Sequence, residues 1–262
     1  MIITEQIHMR ELDRDREILL SLPDDYATSG KRYPVLYIHD GQNAFFDDGA
    51  YGGVSWGFLD YVGRTGLELI MVAIPCNEAP WMRESEYGVW KTDRPITILE
   101  TGYPGEGLGG EGDAYVRFLK DELKPYIDSA YPTDPEDTAM VGSSAGGNIT
   151  FYAAMRYPET FRKCAALSCA FWYYPMQYLE LVRGADLSPL EVLYFDRGTD
   201  EGNGNPFVND LYNYDMEMIR DALMQKDHSD RVRFAVYDGA NHNEAQWRKR
   251  VPVFMELFYG QR

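Results

Sequence analysis

The sequence predicts an α/β fold, with a mostly parallel central sheet, an antiparallel N-terminal edge and helices on both faces. Three observations carry this. First, near-continuous apolar runs recur at 33–38, 67–74, 138–142, 164–171, 192–196 and 232–237. Strands buried on both faces of a parallel sheet have this character. Second, stretches with helical spacing alternate with these runs, at about 54–64, 113–129, 147–157, 208–226 and 243–259. Strand–helix alternation builds a parallel sheet flanked by helices. Third, two alternating segments at about 3–10 and 15–22 lead to Pro23-Asp24-Asp25 and read as an antiparallel pair at the sheet edge.

Composition narrows the function. The chain has 262 residues, 45% hydrophobic and 26% charged, enough to bury a sizeable core. With no internal repeat or low-complexity linker, 1–262 is expected to be a single domain carrying a long loop at about 75–110. A formal net charge of -17 would repel a phosphate backbone, so nucleic acid is not an expected partner. The three cysteines, Cys76, Cys164 and Cys169, form neither a CxxC pair nor an even set, which argues against a disulfide framework or a zinc site. The N-terminal segment is charged throughout and no stretch approaches a membrane span, so a cytoplasmic protein with no membrane partner is expected.

The chemistry-bearing motif is Gly142-Ser143-Ser144-Ala145-Gly146, a G-x-S-x-G turn between a buried strand and a helix. That setting is what a nucleophile elbow requires. The serine must sit on a sharp, strained turn so that its oxygen projects from the sheet. Small residues two before and two after it let the turn close against neighbouring elements. The loop contains no lysine, which excludes a phosphate-cradling P-loop. Ser144 is therefore the candidate nucleophile of an α/β-hydrolase fold.

A serine nucleophile needs a base, and the chain has four histidines. His8 lies in the first edge strand, and His228 ends a helical stretch in a polar segment. His39 closes the 33–38 run, where a buried strand-end role and support of the oxyanion loop are both open. His242 follows the last strand, on the rim where Ser144 emerges, and is the candidate base. The chain order serine, acid, histidine is the one α/β-hydrolases use. Asp196 is expected to remain in its strand, leaving Asp200 and Glu201 in the loop beyond; either carboxylate suits an imidazole-orienting acid. For the oxyanion hole, the N–H of Ala145 supplies one donor. The turn after 33–38 supplies the second, Gly41 permitting close approach and Gln42 presenting its N–H.

These residues together resemble an esterase family that contains esterase D and the enterochelin (siderophore) esterases. The segment 33–43, YPVLYIHDGQN, resembles that family's opening strand and HDGQN loop; Arg83, Glu86 and Tyr87 resemble its R-x-x-E-Y segment. The helix FLKDELKPY and the turn GSSAGG are similar as well. The resemblance implies a carboxylic ester hydrolase with a Ser-His-acid triad and no metal or cofactor. By position in the G-T-x-E segment it favours Glu201 over Asp200. The chain lacks a strongly basic region of the kind an anionic ferric-siderophore ester would call for.

The expected partner is a small-molecule ester, and homo-oligomerisation is left open. Aromatics make up 14% of the chain and cluster where loops leave the strands. Trp81, Tyr87, Trp90, Trp172 and Tyr173 are the expected substrate-binding residues, suited to an aromatic or apolar acyl group. Two other readings stand beside the hydrolase. One is an acyltransferase or thioesterase on the same fold. The other is a non-catalytic binding protein on a hydrolase scaffold.

Overall fold

Alternate residues of Tyr33–His39 divide between two cores. Val35 and Tyr37 join one apolar cluster, Leu36 and Ile38 the other. Period-2 geometry sends neighbouring side chains to opposite faces, so a strand apolar at every position must be covered on both sides. The computed structural model describes residues 1–92, 107–227 and 229–260.

Eight strands among the described residues form one sheet: β1 (Ile2–Met9), β2 (Arg14–Ser21), β3 (Tyr33–His39), β4 (Ile70–Ile74), β5 (Thr133–Ser143), β6 (Lys163–Leu167), β7 (Val192–Asp200) and β8 (Val232–Asn241). Their order is β1-β2-β4-β3-β5-β6-β7-β8. Strands β1, β2 and β4 pair antiparallel in sequence across the edge, and every pairing from β4 to β8 is parallel. The edge expected from the first 22 residues is therefore present, with Ile2 opposite Ser21 and Met9 opposite Arg14.

The helices are α1 (Phe58–Thr65), α2 (Met82–Tyr87), α3 (Gly112–Arg117), α4 (Lys124–Ala130), α5 (Ala145–Arg156), α6 (Pro175–Gly184), α7 (Pro206–Lys226) and α8 (Glu244–Tyr259). A π-helical segment, Phe118–Leu123, joins α3 to α4, so the expected helix at 113–129 is interrupted in hydrogen bonding rather than in path. On one face Ile149 and Phe151 of α5, Tyr178 of α6 and Met216 of α7 pack with Leu119 and Leu123. On the other, Phe58 of α1 meets Val251 and Phe254 of α8.

The structure departs from the sequence reading in several places, and β7 runs through Asp200, which was expected in the loop beyond it, because pairing with β8 continues to Asn241. β6 stops at Leu167, short of the expected 171, because Ser168 takes φ 44 and the chain turns. The 75–110 stretch is not simply a loop: it contains α2, and Lys91 bridges Gly109. Its portion 93–106 lies outside the described residues. Helix α6 went unforeseen, although Pro175 at its first turn is a helix-start signal.

Candidate active site

β5 brings the chain to Ser144 near the middle of the sheet, and α5 starts at the next residue. Ser144 has φ 56 and ψ -122, a region that L-residues avoid at a cost of about 1–3 kcal/mol. The surroundings hold it there. Its N–H donates to the Leu167 carbonyl at 2.9 Å, and its carbonyl accepts from Asn148 N–H at 3.0 Å. A Cβ on Gly142 would lie 2.2 Å from the Gly146 carbonyl oxygen, so the turn closes only with glycine at that position. Ser143 and Ala145 are buried while Ser144 stays partly open, as a projecting nucleophile requires. Ala145 is the first residue of α5, where backbone N–H groups have no intrahelical acceptor.

His242 follows β8 directly, and its Nδ1 lies 2.6 Å from Glu201 Oε2. A carboxylate there fixes the tautomer, with Nδ1 carrying the proton and Nε2 free to accept one. The other oxygen of Glu201 accepts from Gly198 N–H and from Ser168 Oγ, the latter at 2.7 Å. Burial pushes the Glu201 carboxyl up, but the bonds from His242, Gly198 and Ser168 outweigh it and hold the group below its usual range. Asp200, the alternative acid, faces elsewhere: its Oδ1 accepts from Gly204 N–H at 2.8 Å and caps the following turn.

Behind Glu201 lies a buried polar network that the sequence reading did not foresee. Ser168 Oγ accepts from Trp247 Nε1 at 3.0 Å and from Arg250 Nη1 at 2.8 Å. Arg250 also pairs with Asp196 at 2.6 Å, and both are almost fully buried. Burial pushes the Asp196 carboxyl up to about 6, against the pull of the Arg250 guanidinium. Replacing Arg250 by Met would strand that carboxylate in the core. Such a loss costs about 3–5 kcal/mol, and urea unfolding of Arg250→Met should show a destabilisation of that size.

The second half of the site is the turn after β3. Gly41–Asn43 forms one 3-10 turn, entered through Asp40 in the left-handed region with φ 51. A Cβ on Gly41 would lie 2.4 Å from Ile74 N, so this turn packs directly on the β4 backbone. The Gln42 side chain is held at both ends, its Oε1 accepting from Cys76 N–H at 3.1 Å and its Nε2 lying 3.2 Å from Cys76 Sγ. The R-x-x-E-Y residues brace this turn. Arg83 forks onto Asp40 with 2.6 and 2.8 Å bonds and reaches the Ser143 carbonyl at 3.4 Å. Tyr87 OH accepts from Asp40 N–H at 3.1 Å. Glu86, fully buried, takes Arg14 and Arg16 of β2 at 2.8 and 2.5 Å.

This corrects one expectation. Tyr87 is only 1% exposed and packs on His39 and Tyr115, so it supports the Asp40–Asn43 turn from beneath and does not face a substrate. His39 is the buried strand-end histidine, with Nδ1 3.0 Å from Tyr115 OH. Burial lowers its pKa to about 4. An unfolded histidine titrates near 6.5, so between those values the unfolded chain binds the extra proton and native stability falls as pH falls. The unfolding free energy of the wild type, minus that of His39→Gln, should rise by about 3 kcal/mol from pH 4 to pH 6.5. Denaturant melts across that range measure it. His8 sits on the exposed edge strand, 2.8 Å from Asp15, and His228 lies outside the described residues.

The other expected aromatics occupy different depths. Trp90 and Tyr173, both partly buried, line a cavity of about 630 Å³ with Pro175, Met176, Gln177, Glu180 and Leu181. Trp172 is buried and stacks on Tyr173 with centroids 4.0 Å apart. Trp81 opens α2 with φ 65 and is partly buried. The sequence reading missed Tyr212 of α7, whose ring lies 4.9 Å from that of His242 and 6.1 Å from that of Trp172. Its hydroxyl is 3.5 Å from His242 Nε2 and interacts with the Ser144 side chain, so Ser144 and His242 share this neighbour. Its place in a helical run with apolar spacing disguised it as a core residue.

Among the described residues no helix is long and apolar enough to cross a membrane, and no group of three or more His, Cys, Asp or Glu is placed to hold a metal ion.

Comparison with known proteins agrees with this architecture. The uncharacterized protein YbbA of Bacillus subtilis (strain 168) is 23% identical over 251 residues, covering 94% of each chain. The structure resembles an IroE-like serine hydrolase from Shewanella oneidensis, with a TM-score of 0.74 and 20% identity over 98% of this chain and 80% of that one. It also resembles the siderophore hydrolase EstA from Aspergillus nidulans, with a TM-score of 0.72 and 16% identity over 98% and 95%. The fold is thus the α/β-hydrolase fold. The model of the family described as "Putative esterase" matches residues 9–255, nearly the whole chain, and the chain belongs to that esterase family.

Proposed function

We propose that this protein is a serine carboxylic ester hydrolase that works through an acyl-enzyme on a small-molecule ester with an aromatic or apolar acyl group. The observation that carries the reading is the convergence on one rim of a strained, partly exposed Ser144 and a His242 oriented by Glu201 at 2.6 Å. Ser144 Oγ attacks the ester carbonyl carbon as its proton passes to His242 Nε2. The carbonyl electrons move to oxygen, and the N–H groups of Ala145 and Gln42 receive that oxyanion. The intermediate collapses, the carbon–oxygen bond to the alcohol breaks, and the alkoxide takes the proton from the imidazolium. Water, deprotonated by His242, then releases the acid and restores Ser144.

Two features of the surroundings support this substrate class. The cavity beside Trp90 and Tyr173 is of ligand-binding size and mostly apolar in lining. Ser144 and His242 are not among its lining residues; between it and His242 lie Trp172, stacked on Tyr173, and Tyr212, edge-on to Trp172 and tilted against the imidazole. A net charge of -17 favours neutral or cationic esters over anionic ones. Hydrolysis of ethyl esters of acetic, cinnamic and ferulic-type acids tests this. The aryl acids should give kcat/KM at least about tenfold above acetate, the size of a filled apolar site. Equal rates, or a preference for acetate, would remove the aromatic-acyl assignment.

A further inference from the structure

The mechanism above leaves one side chain at the reacting atoms unused. Tyr212 is buried, yet its hydroxyl borders both Ser144 and His242: it interacts with Ser144 and lies 3.5 Å from His242 Nε2. That spacing is too long to immobilise the imidazole and short enough for phenol and imidazolium to donate to a single oxygen placed about 2.8 Å from each. The ring is clamped on two sides, by His242 at 4.9 Å and by Trp172 edge-on at 6.1 Å, with an interplanar angle of 70°. His242 is in turn held by Trp247, 4.9 Å away and nearly perpendicular. The Trp172 side chain also acts on the Tyr212 hydroxyl.

The sheet order decides which substrate oxygen Tyr212 can serve. Gln42 follows β3, on one side of β5, and Tyr212 and His242 follow β7 and β8, on the other. The oxyanion therefore forms away from Tyr212, and the oxygen close to His242 Nε2 is the one that leaves. We propose that Tyr212 is a further catalytic side chain, whose hydroxyl hydrogen-bonds the departing alcohol oxygen while His242 protonates it. This rests on the serine esterase reading. Tyr212 keeps its proton throughout: the carbon–oxygen bond breaks, its electron pair stays on the alcohol oxygen, and the proton that oxygen gains comes from His242. Burial raises the phenol pKa to about 12, so it remains a neutral donor in the working range.

A donor to the leaving oxygen matters most when that oxygen is strongly basic. The test compares wild type and Tyr212→Phe on the ethyl and 4-nitrophenyl esters of one acid. The loss in kcat/KM should be about 10- to 100-fold larger for the ethyl ester. Equal losses on both esters, or none on either, would overturn the role, because a residue that merely positions Ser144 or His242 cannot discriminate between alcohols. Replacing Tyr212 by 3-fluorotyrosine, a stronger donor of nearly the same shape, should raise the ethyl-to-nitrophenyl rate ratio. An unchanged ratio overturns the proposal even where the Phe variant fails to fold. Fluorophosphonate labelling of wild-type Ser144 separates the two ideas. Absence of labelling defeats the esterase reading, whereas labelling with indiscriminate losses defeats only the part given to Tyr212.

Discussion

Ser144→Ala should lower kcat for ester hydrolysis by about 10⁴- to 10⁶-fold, leaving only what the oxyanion donors and substrate binding contribute. The substitution removes one oxygen from a partly exposed position and leaves the elbow's backbone bonds to Leu167 and Asn148 in place. Alanine is no better suited than serine to φ 56, so stability should change little. A large kinetic loss without a folding defect is the signature of a nucleophile. Steady-state rates on an activated ester, paired with a thermal melt, measure both.

Glu201→Gln should cost about 10³- to 10⁴-fold in kcat, or about 4–5.5 kcal/mol of transition-state stabilisation. The reason lies in which groups surround the carboxylate. Ser168 Oγ already accepts from Trp247 and Arg250, so its own proton goes to Glu201 Oε1. Gly198 N–H donates to the same oxygen. Both groups demand an acceptor, so a glutamine must place its carbonyl oxygen there and turn its NH₂ toward His242 Nδ1. That imposes the tautomer with the proton on Nε2, which cannot accept one from Ser144. Asp200→Asn, by contrast, preserves the cap on Gly204 N–H and should change kcat by less than about threefold, within the small range of surface substitutions. Reversed sensitivities in the same assay would move the acid from Glu201 to Asp200.

Much of this was legible in the chain because buried parallel strands and a glycine-flanked strand–turn–helix elbow both leave local marks. β3, β4 and β6 are apolar on both faces, and the turn Gly142 to Gly146 sits where strand periodicity changes to helix periodicity. His242 and Glu201 stood out because each follows a strand on the rim where Ser144 emerges, although choosing Glu201 over Asp200 took a family resemblance. What was not legible depends on contacts distant in sequence. Arg250 and Asp196, 54 residues apart, give no local sign of their pairing until the fold brings them together. Ser168 has no local signature beyond ending a strand, and its positive φ is dictated by tertiary packing. Tyr87 was placed over the site because aromatic residues in loops suggest a pocket, but its segment folds into α2 and points its hydroxyl at the Asp40 backbone. Tyr212 was hidden for the opposite reason, since a tyrosine at helical spacing looks like packing until His242 is seen against its ring.

The central claim is that Ser144 is a nucleophile activated by His242. Its most direct measurement is intact and peptide-level mass spectrometry after treatment with a fluorophosphonate. The account predicts one adduct per chain, on Ser144, absent in Ser144→Ala and strongly slowed in His242→Ala. No adduct on the folded wild type, or an adduct on another residue that persists in Ser144→Ala, would contradict it.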